Sequence, residues 1–145
     1  MAALPVERLA LPRATGPRVI VPLGRVDAAA LRALAYAGAI APHLTILQLR
    51  NGDAAVRVRR RLRELGVARG AEFIEVREGG DTVGRIARTI DAIAAEDPGR
   101  RVAVVIPSVV PRHPWLLPLH AGSLLLKLGV LGRPNTAVVD VPYHV

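Results

Sequence analysis

At 145 residues the chain has the length of one domain, and with 51% hydrophobic but only 3% aromatic residues its core has to be built from Ala, Val, Leu and Ile. The absence of cysteine excludes a disulfide framework, an Fe–S cluster, a zinc ribbon and a thiol nucleophile. The 20 basic residues, all arginine but Lys127, face 12 acidic ones and leave a formal charge of +8, which favours anionic partners, although a surface merely solvated by arginine gives the same total.

Residues 1–17 read as a linker or tether, because Pro5, Pro12, Gly16 and Pro17 bracket a short amphipathic stretch that sustains no period. Glu7 and Arg8 interrupt what a signal peptide would keep apolar. The α/β domain is expected over residues 18–145. Its first strand is Arg18 to Pro22, closed by a turn at Leu23-Gly24-Arg25, and Asp27 is a good N-cap for an Ala/Leu helix reaching about Ala41. Pro42 ends that helix and His43 to Leu49 forms the second strand. Asn51-Gly52-Asp53 then supplies a turn and an N-cap at Asp53 for a helix over Ala54 to Leu65. In that helix Ala55, Val58, Leu62 and Leu65 make one apolar stripe, and Arg57, Arg60, Arg61 and Arg63 decorate the back.

Gly66 closes the second helix, and Glu72 to Glu78 alternates apolar and charged residues, which predicts a strand wet on one side and near a sheet edge. A third helix follows Gly79-Gly80-Asp81, with Val83, Ile86, Ile90 and Ile93 as its stripe, and stops at Pro98-Gly99. Val102 to Ile106 is apolar throughout and four-fifths β-branched, the pattern of a central strand buried on both faces. After a proline-broken loop come Gly122-Ser123, a Leu-rich fourth helix and a last strand at Thr136 to Val141. Pro114, Pro118, His120 and Lys127 interrupt the most apolar segment, which falls short of the roughly twenty residues a membrane span needs. Strict alternation of strand and helix predicts a doubly wound, five-stranded parallel sheet in the order 3-2-1-4-5, with helices on both faces.

In that order the winding reverses between the first and fourth strands, so the loops after Pro22 and Pro107 face one crevice. Gly24, Arg25 and Ser108 are candidate ligand contacts there, together with Arg112, His113 and Trp115 from the long loop. Arg112 and His113 suit an anion and Trp115 offers a stacking face; equally, Trp115 plugs the top of the sheet. Gly122 and Ser123 open the fourth helix as a phosphate contact would, although an ordinary N-cap is the plainer reading of Ser123. His113 and His120 are separated by two prolines and followed by no carboxylate at ligand spacing, so no metal and no cofactor are expected.

Neither serine stands in a nucleophile elbow and no phosphate loop or metalloprotease motif occurs, so no catalytic residue is assigned. The arginines at 57, 60, 61 and 63 form either a solvated back or a face for an anionic lipid surface; without interleaved aromatics they do not point to nucleic acid. The unpaired edge at Thr136 to Val141 invites strand addition from a twin, giving a homodimer whose contact Pro142 limits.

Several stretches carry a resemblance: VIVPLGRVDAAALRAL, the strand IPSVV, Arg112-His113-Pro114-Trp115, and the ending RPNTAVVDVPYHV with Val141-Pro142-Tyr143-His144. Over residues 18–145 the chain resembles the cytoplasmic C-terminal domain of bacterial amino-acid permeases of the amino acid–polyamine–organocation superfamily, a domain similar in fold to the universal stress proteins. The resemblance implies a non-enzymatic regulatory or assembly domain at the cytoplasmic face of the membrane, with the membrane-embedded part of the same transporter as its partner. The alternative is a free-standing stress-type protein that binds ATP, AMP or a cyclic dinucleotide. ATP-binding members of that fold are similar to one another in an Asp after the first strand and a G-x-x-G ahead of G-[ST]. Here Leu23-Gly24 and Pro111 to Trp115 stand in those places and only Gly122-Ser123 matches, so ATP binding in the family manner is not expected.

Overall fold

The computed structural model describes residues 16–77, 79–110, 133 and 135–144. Its elements are β1 (Arg18–Leu23), α1 (Ala28–Ile40), β2 (Leu44–Gln48), α2 (Gly52–Leu65), β3 (Glu72–Glu75), α3 (Thr82–Glu96), β4 (Val102–Val110) and β5 (Thr136–His144). The five strands form one sheet in the order β3-β2-β1-β4-β5, and every neighbouring pair is parallel. The expected fold is therefore the observed one; the fourth helix falls outside the described residues.

Parallel strands buried on both faces need apolar residues at successive positions, and β1 and β4 supply them. Val19, Val21, Leu23, Ile46, Ala103 and Val105 pack on the side of α1 and α2, with Ala30, Ala33, Leu34 and Leu62. Their chain neighbours Ile20, Leu47, Val102, Val104 and Ile106 pack on the other side against Ile86, Ile90 and Ile93 of α3. This split follows from the handed crossovers: winding from β1 to β2 to β3 places α1 and α2 on one face, and the return from β3 to β4 places α3 on the opposite one. Small residues of α1 (Ala30, Ala33, Ala37) are fully buried, so that helix approaches the sheet closely.

Several boundaries differ from those predicted, each for a local reason. Helix α2 starts at Gly52 with Asn51 in the cap position, and Asp53 lies inside the first turn, where its charge complements the helix dipole. The Asn51 side chain does not cap; its Nδ2 donates to the carbonyl of Val76 at 3.1 Å and ties the β2–α2 loop to the end of β3. Leu65 leaves the apolar stripe and is 39% exposed, because Gly66 turns the chain into the left-handed region (φ +69°) directly after it. Strand β3 is an edge strand as predicted, but it ends at Glu75 and is not wet on one side: Phe73 packs toward α2 and Ile74 toward α3. Strands β4 and β5 both run through a proline. The β1–β4 ladder stops at Ile20↔Val104, while β4 and β5 stay paired to Val110↔His144. Pro107 thus lies where one side of β4 has no ladder, and Pro142 lies on an edge strand, so the missing N–H groups break no β1–β4 bond.

Ion pairs tie the amino ends of the strands. Arg18 donates to Glu96 at 2.6 Å and to Glu72 at 3.3 Å, bridging β1 to α3 and β3. Arg100 donates through Nε to the carbonyl of Gly16 at 3.0 Å, so the last residues of the predicted tether rest on the domain.

Candidate functional site

The β1–β4 ladder ends while both strands continue, which opens a crevice at the carboxyl ends of the sheet where the winding reverses. Carried forward, that register sets Ser108 level with Gly24; Ser108 is half-buried in β4 opposite Pro142. Gly24 and Arg25 occupy the β1–α1 loop. A Cβ on Gly24 would meet only Leu49 Cβ at 4.0 Å, an ordinary contact, so packing does not demand glycine there. Arg112, His113, Trp115, Gly122 and Ser123 lie outside the described residues.

Asp27 organises the β1–α1 loop. Its Oδ1 accepts from the backbone N–H of Ala30 at 2.8 Å, the N-cap bond predicted, while its Oδ2 accepts from Arg25 Nε at 2.9 Å. That second bond holds the exposed Arg25 beside the start of α1. Across from it stands the β2–α2 loop with Arg50, and then the side of α2 that carries Ala54, Arg57, Val58 and Arg61. These residues, with Gly24, Arg25 and Val26, line a cavity of about 400 Å³. Among the described residues Arg25 pairs with Asp27 and Arg61 with Glu64 at 3.5 Å, whereas Arg50 and Arg57 have no carboxylate within ion-pair distance. Four guanidinium groups around one open cavity concentrate positive charge there, and arginine forks match phosphate oxygens in pairs.

The position of α2 is fixed from beneath. Gln48, at the end of β2 and 1% exposed, donates through Nε2 to the carbonyl of Ala55 at 2.9 Å and accepts from Arg59 Nη1 at 3.1 Å. Arg59 reaches on to Glu75 of β3 at 3.8 Å. A buried amide satisfied on both sides sets the register of the helix against the sheet.

The four arginines grouped on the back of α2 are all exposed, yet they divide between its two flanks. Arg57 and Arg61, at i and i+4, turn toward α1 and the first cavity. Arg63 turns toward β3, where with Arg59 and Arg69 it rims a second cavity of about 520 Å³ floored by Leu62, Val67 and Phe73. Arg60 stands between the two groups, in neither lining. Sequence reasoning missed Arg50 as a partner of Arg25. The signal was present, since each arginine follows a strand by two residues, but it becomes readable only once those two strands are known to be neighbours.

Among the described residues no cluster of three His, Cys, Asp or Glu residues could hold a metal ion, and no helix is long and apolar enough to cross a membrane. The family model described as the KimA potassium transporter C-terminal domain matches residues 13–143, nearly the whole chain. No curated protein matches it.

Proposed function

From the premise that the chain belongs to the KimA potassium transporter C-terminal domain family, we propose that it is a non-enzymatic cytoplasmic domain that regulates or assembles a membrane transporter. The signal it takes is a phosphate-bearing nucleotide at the sheet's carboxyl ends. The observation that carries this reading is the cavity bounded by Arg25, Arg50, Arg57 and Arg61, two of which have no carboxylate partner among the described residues. A receptor with several guanidinium groups favours a ligand with more than one anionic charge. The family name favours potassium as the transported species over the amino acid that the sequence resemblance implied.

ATP is the weaker candidate within the nucleotides. Pro111 to Trp115 replace the glycines whose missing side chains let a backbone close on a triphosphate. AMP and a cyclic dinucleotide need no such loop, because the arginines can meet their phosphates through side chains. Calorimetric titration of the chain with ATP, AMP and a cyclic dinucleotide tests the ligand. Saturable binding of one of the latter two, weakened at least tenfold in Arg50→Gln and Arg57→Gln, is expected. Micromolar ATP binding indifferent to both substitutions would place the site elsewhere. The transporter role is tested separately, by ion flux through the full-length transporter with and without this domain: unchanged flux, ligand response and assembly would refute it.

A further inference from the structure

The arginine charge of this fold is one-sided. Helix α2 carries five arginines (Arg57, Arg59, Arg60, Arg61 and Arg63) against Asp53 and Glu64, whereas α3 on the opposite face of the sheet balances Arg85 and Arg88 with Asp91 and Glu96. The apolar exposure is one-sided too. Among the described residues the exposed large hydrophobic ones, Tyr36, Ile40, Val56 and Leu65, all lie on α1 and α2 and none on α3.

The side of α2 away from the crevice brings these two features together. Val56, Arg60 and Arg63 stand at i, i+4 and i+7, which aligns them in one stripe along the helix. Val56 is 42% exposed, and Arg63 continues through Arg69 into the rim of the second cavity, above Leu62, Val67 and Phe73. Arg59, pinned to Gln48 and Glu75, belongs to the fold rather than to this surface. The acidic residues of the helix do not cancel the stripe: Glu64 is engaged by Arg61, and Asp53 sits in the first turn. Among the described residues Arg60, Arg63 and Arg69 have no carboxylate partner.

We infer that this flank, built on Arg60, Arg63 and Arg69 with the exposed Val56 one turn before Arg60, docks on the anionic headgroup layer of a membrane. Basic side chains interleaved with exposed apolar ones are what an interfacial helix presents: the long arginine stems lie along apolar surface and the guanidinium groups reach phosphate oxygens. The aromatic Phe73 of this flank is packed against the core as part of the floor of the second cavity and presents no open face for stacking on bases, which sets nucleic acid aside. The inference rests on the reading of the chain as a transporter's C-terminal domain, since that attachment keeps the flank within reach of a leaflet. Tethering also makes a weak attraction sufficient, because the membrane is then met at high effective concentration. Arg57 and Arg61, on the other flank of the same helix, belong to the first cavity and take no part in this surface.

The test is sedimentation of the 145-residue chain with vesicles of phosphatidylcholine alone or mixed with phosphatidylserine, at low and at near-physiological ionic strength. Binding is expected only with phosphatidylserine, and salt should weaken it. Near an anionic surface each arginine contributes about fivefold, so the triple variant Arg60→Gln, Arg63→Gln, Arg69→Gln should bind about a hundredfold more weakly. The control triple Arg77→Gln, Arg88→Gln, Arg101→Gln removes equal charge away from α2 and should bind within about threefold of the parent. Replacing the first three arginines with lysine should also preserve binding, since diffuse attraction needs charge and not a planar fork. Circular dichroism and thermal unfolding confirm that each variant is folded. Equal binding to neutral vesicles, equal loss in the control triple, loss in the lysine triple, or an oligonucleotide bound as tightly as the vesicles would each overturn the inference. Absence of binding to any vesicle overturns it too, and leaves the transporter role standing, because that role is read from ion flux.

Discussion

Gln48 is the residue on which the placement of α2, and with it both arginine groups, depends. Changing Gln48→Met keeps an unbranched chain of similar volume and removes two hydrogen bonds: Nε2 to Ala55 O at 2.9 Å and Arg59 Nη1 to Oε1 at 3.1 Å. Neither partner is stranded. The Ala55 carbonyl also lies in the helix ladder, and the Arg59 side chain is 36% exposed and keeps Glu75 at 3.8 Å. Each bond therefore counts at its net value of about 1 kcal/mol, with no added penalty for a buried orphan, and the substitution should destabilise by about 1–2 kcal/mol. Gln48→Ala adds a cavity at a position only 1% exposed and should cost about 3–4 kcal/mol. Urea unfolding measures both, with an unchanged m-value showing that the unfolded state is unaffected. A double-mutant cycle of Gln48→Met with Arg59→Met should return a coupling of about 1 kcal/mol, the share of the bond between them. A Gln48→Met chain as stable as its parent, or a coupling of zero, would refute the view that this amide fixes the helix.

Ile90→Ala should destabilise by about 2–5 kcal/mol in urea, because Ile90 is fully buried between α3 and the sheet and the space cannot collapse around a strand. Gly66→Ala should cost about 1 kcal/mol in thermal unfolding, since φ is +69° there while the nearest atom to a new Cβ, Arg69 Nη2 at 3.6 Å, leaves room: the strain is in the backbone and not in packing. The chain should dimerise by light scattering at about 10–100 µM, a range suited to a small interface, with a charge placed on the outer edge of β5 returning it to monomer.

Much of the fold is legible from local pattern, because each strand is bounded by a turn signal and the stripe Ile86, Ile90, Ile93 marks the buried side of α3 without ambiguity. What escapes the pattern depends on neighbours. The stretch Glu72 to Glu78 reads as an alternation wet on one side, yet its adjacent Phe73 and Ile74 face different helices, since α2 and α3 cover opposite sides of the edge strand. Asp53 attracts the N-cap assignment because acidic residues do cap helices; the helix instead starts two residues earlier, with the Asn51 side chain committed to Val76. Proline ordinarily ends a strand, and only knowledge that β1 leaves the ladder after Ile20 explains why β4 continues through Pro107. The candidate site follows the same rule. Arg25 was visible as a residue after the first strand, but Arg50, Arg57 and Arg61 join it only through the pairing of β1 with β2.

Because Arg57 and Arg61 on one flank and Arg60 and Arg63 on the other share α2, the proposed ligand and the proposed membrane contact would act on one element. A ligand that gathered Arg25 and Arg50 on the loops with Arg57 and Arg61 on the helix would draw α2 toward the β1–α1 loop, and any such shift would carry Arg60 and Arg63 with it. Linkage then requires reciprocity: the factor by which a nucleotide changes vesicle affinity must equal the factor by which vesicles change nucleotide affinity. Allosteric couplings of this kind typically amount to about 1–3 kcal/mol, a change of roughly 5- to 150-fold. The measurement is nucleotide titration in the presence and absence of phosphatidylserine vesicles, alongside vesicle sedimentation with and without nucleotide. Releasing α2 from the sheet by Gln48→Met should shrink the coupling while leaving each single affinity within a few fold, since the buried amide is what makes the helix move as a unit with the end of β2. Two sites that bind with full independence, in a chain whose α2 is shown to be held by Gln48, would mean that the arginines on the two flanks respond to their partners by side-chain movement alone.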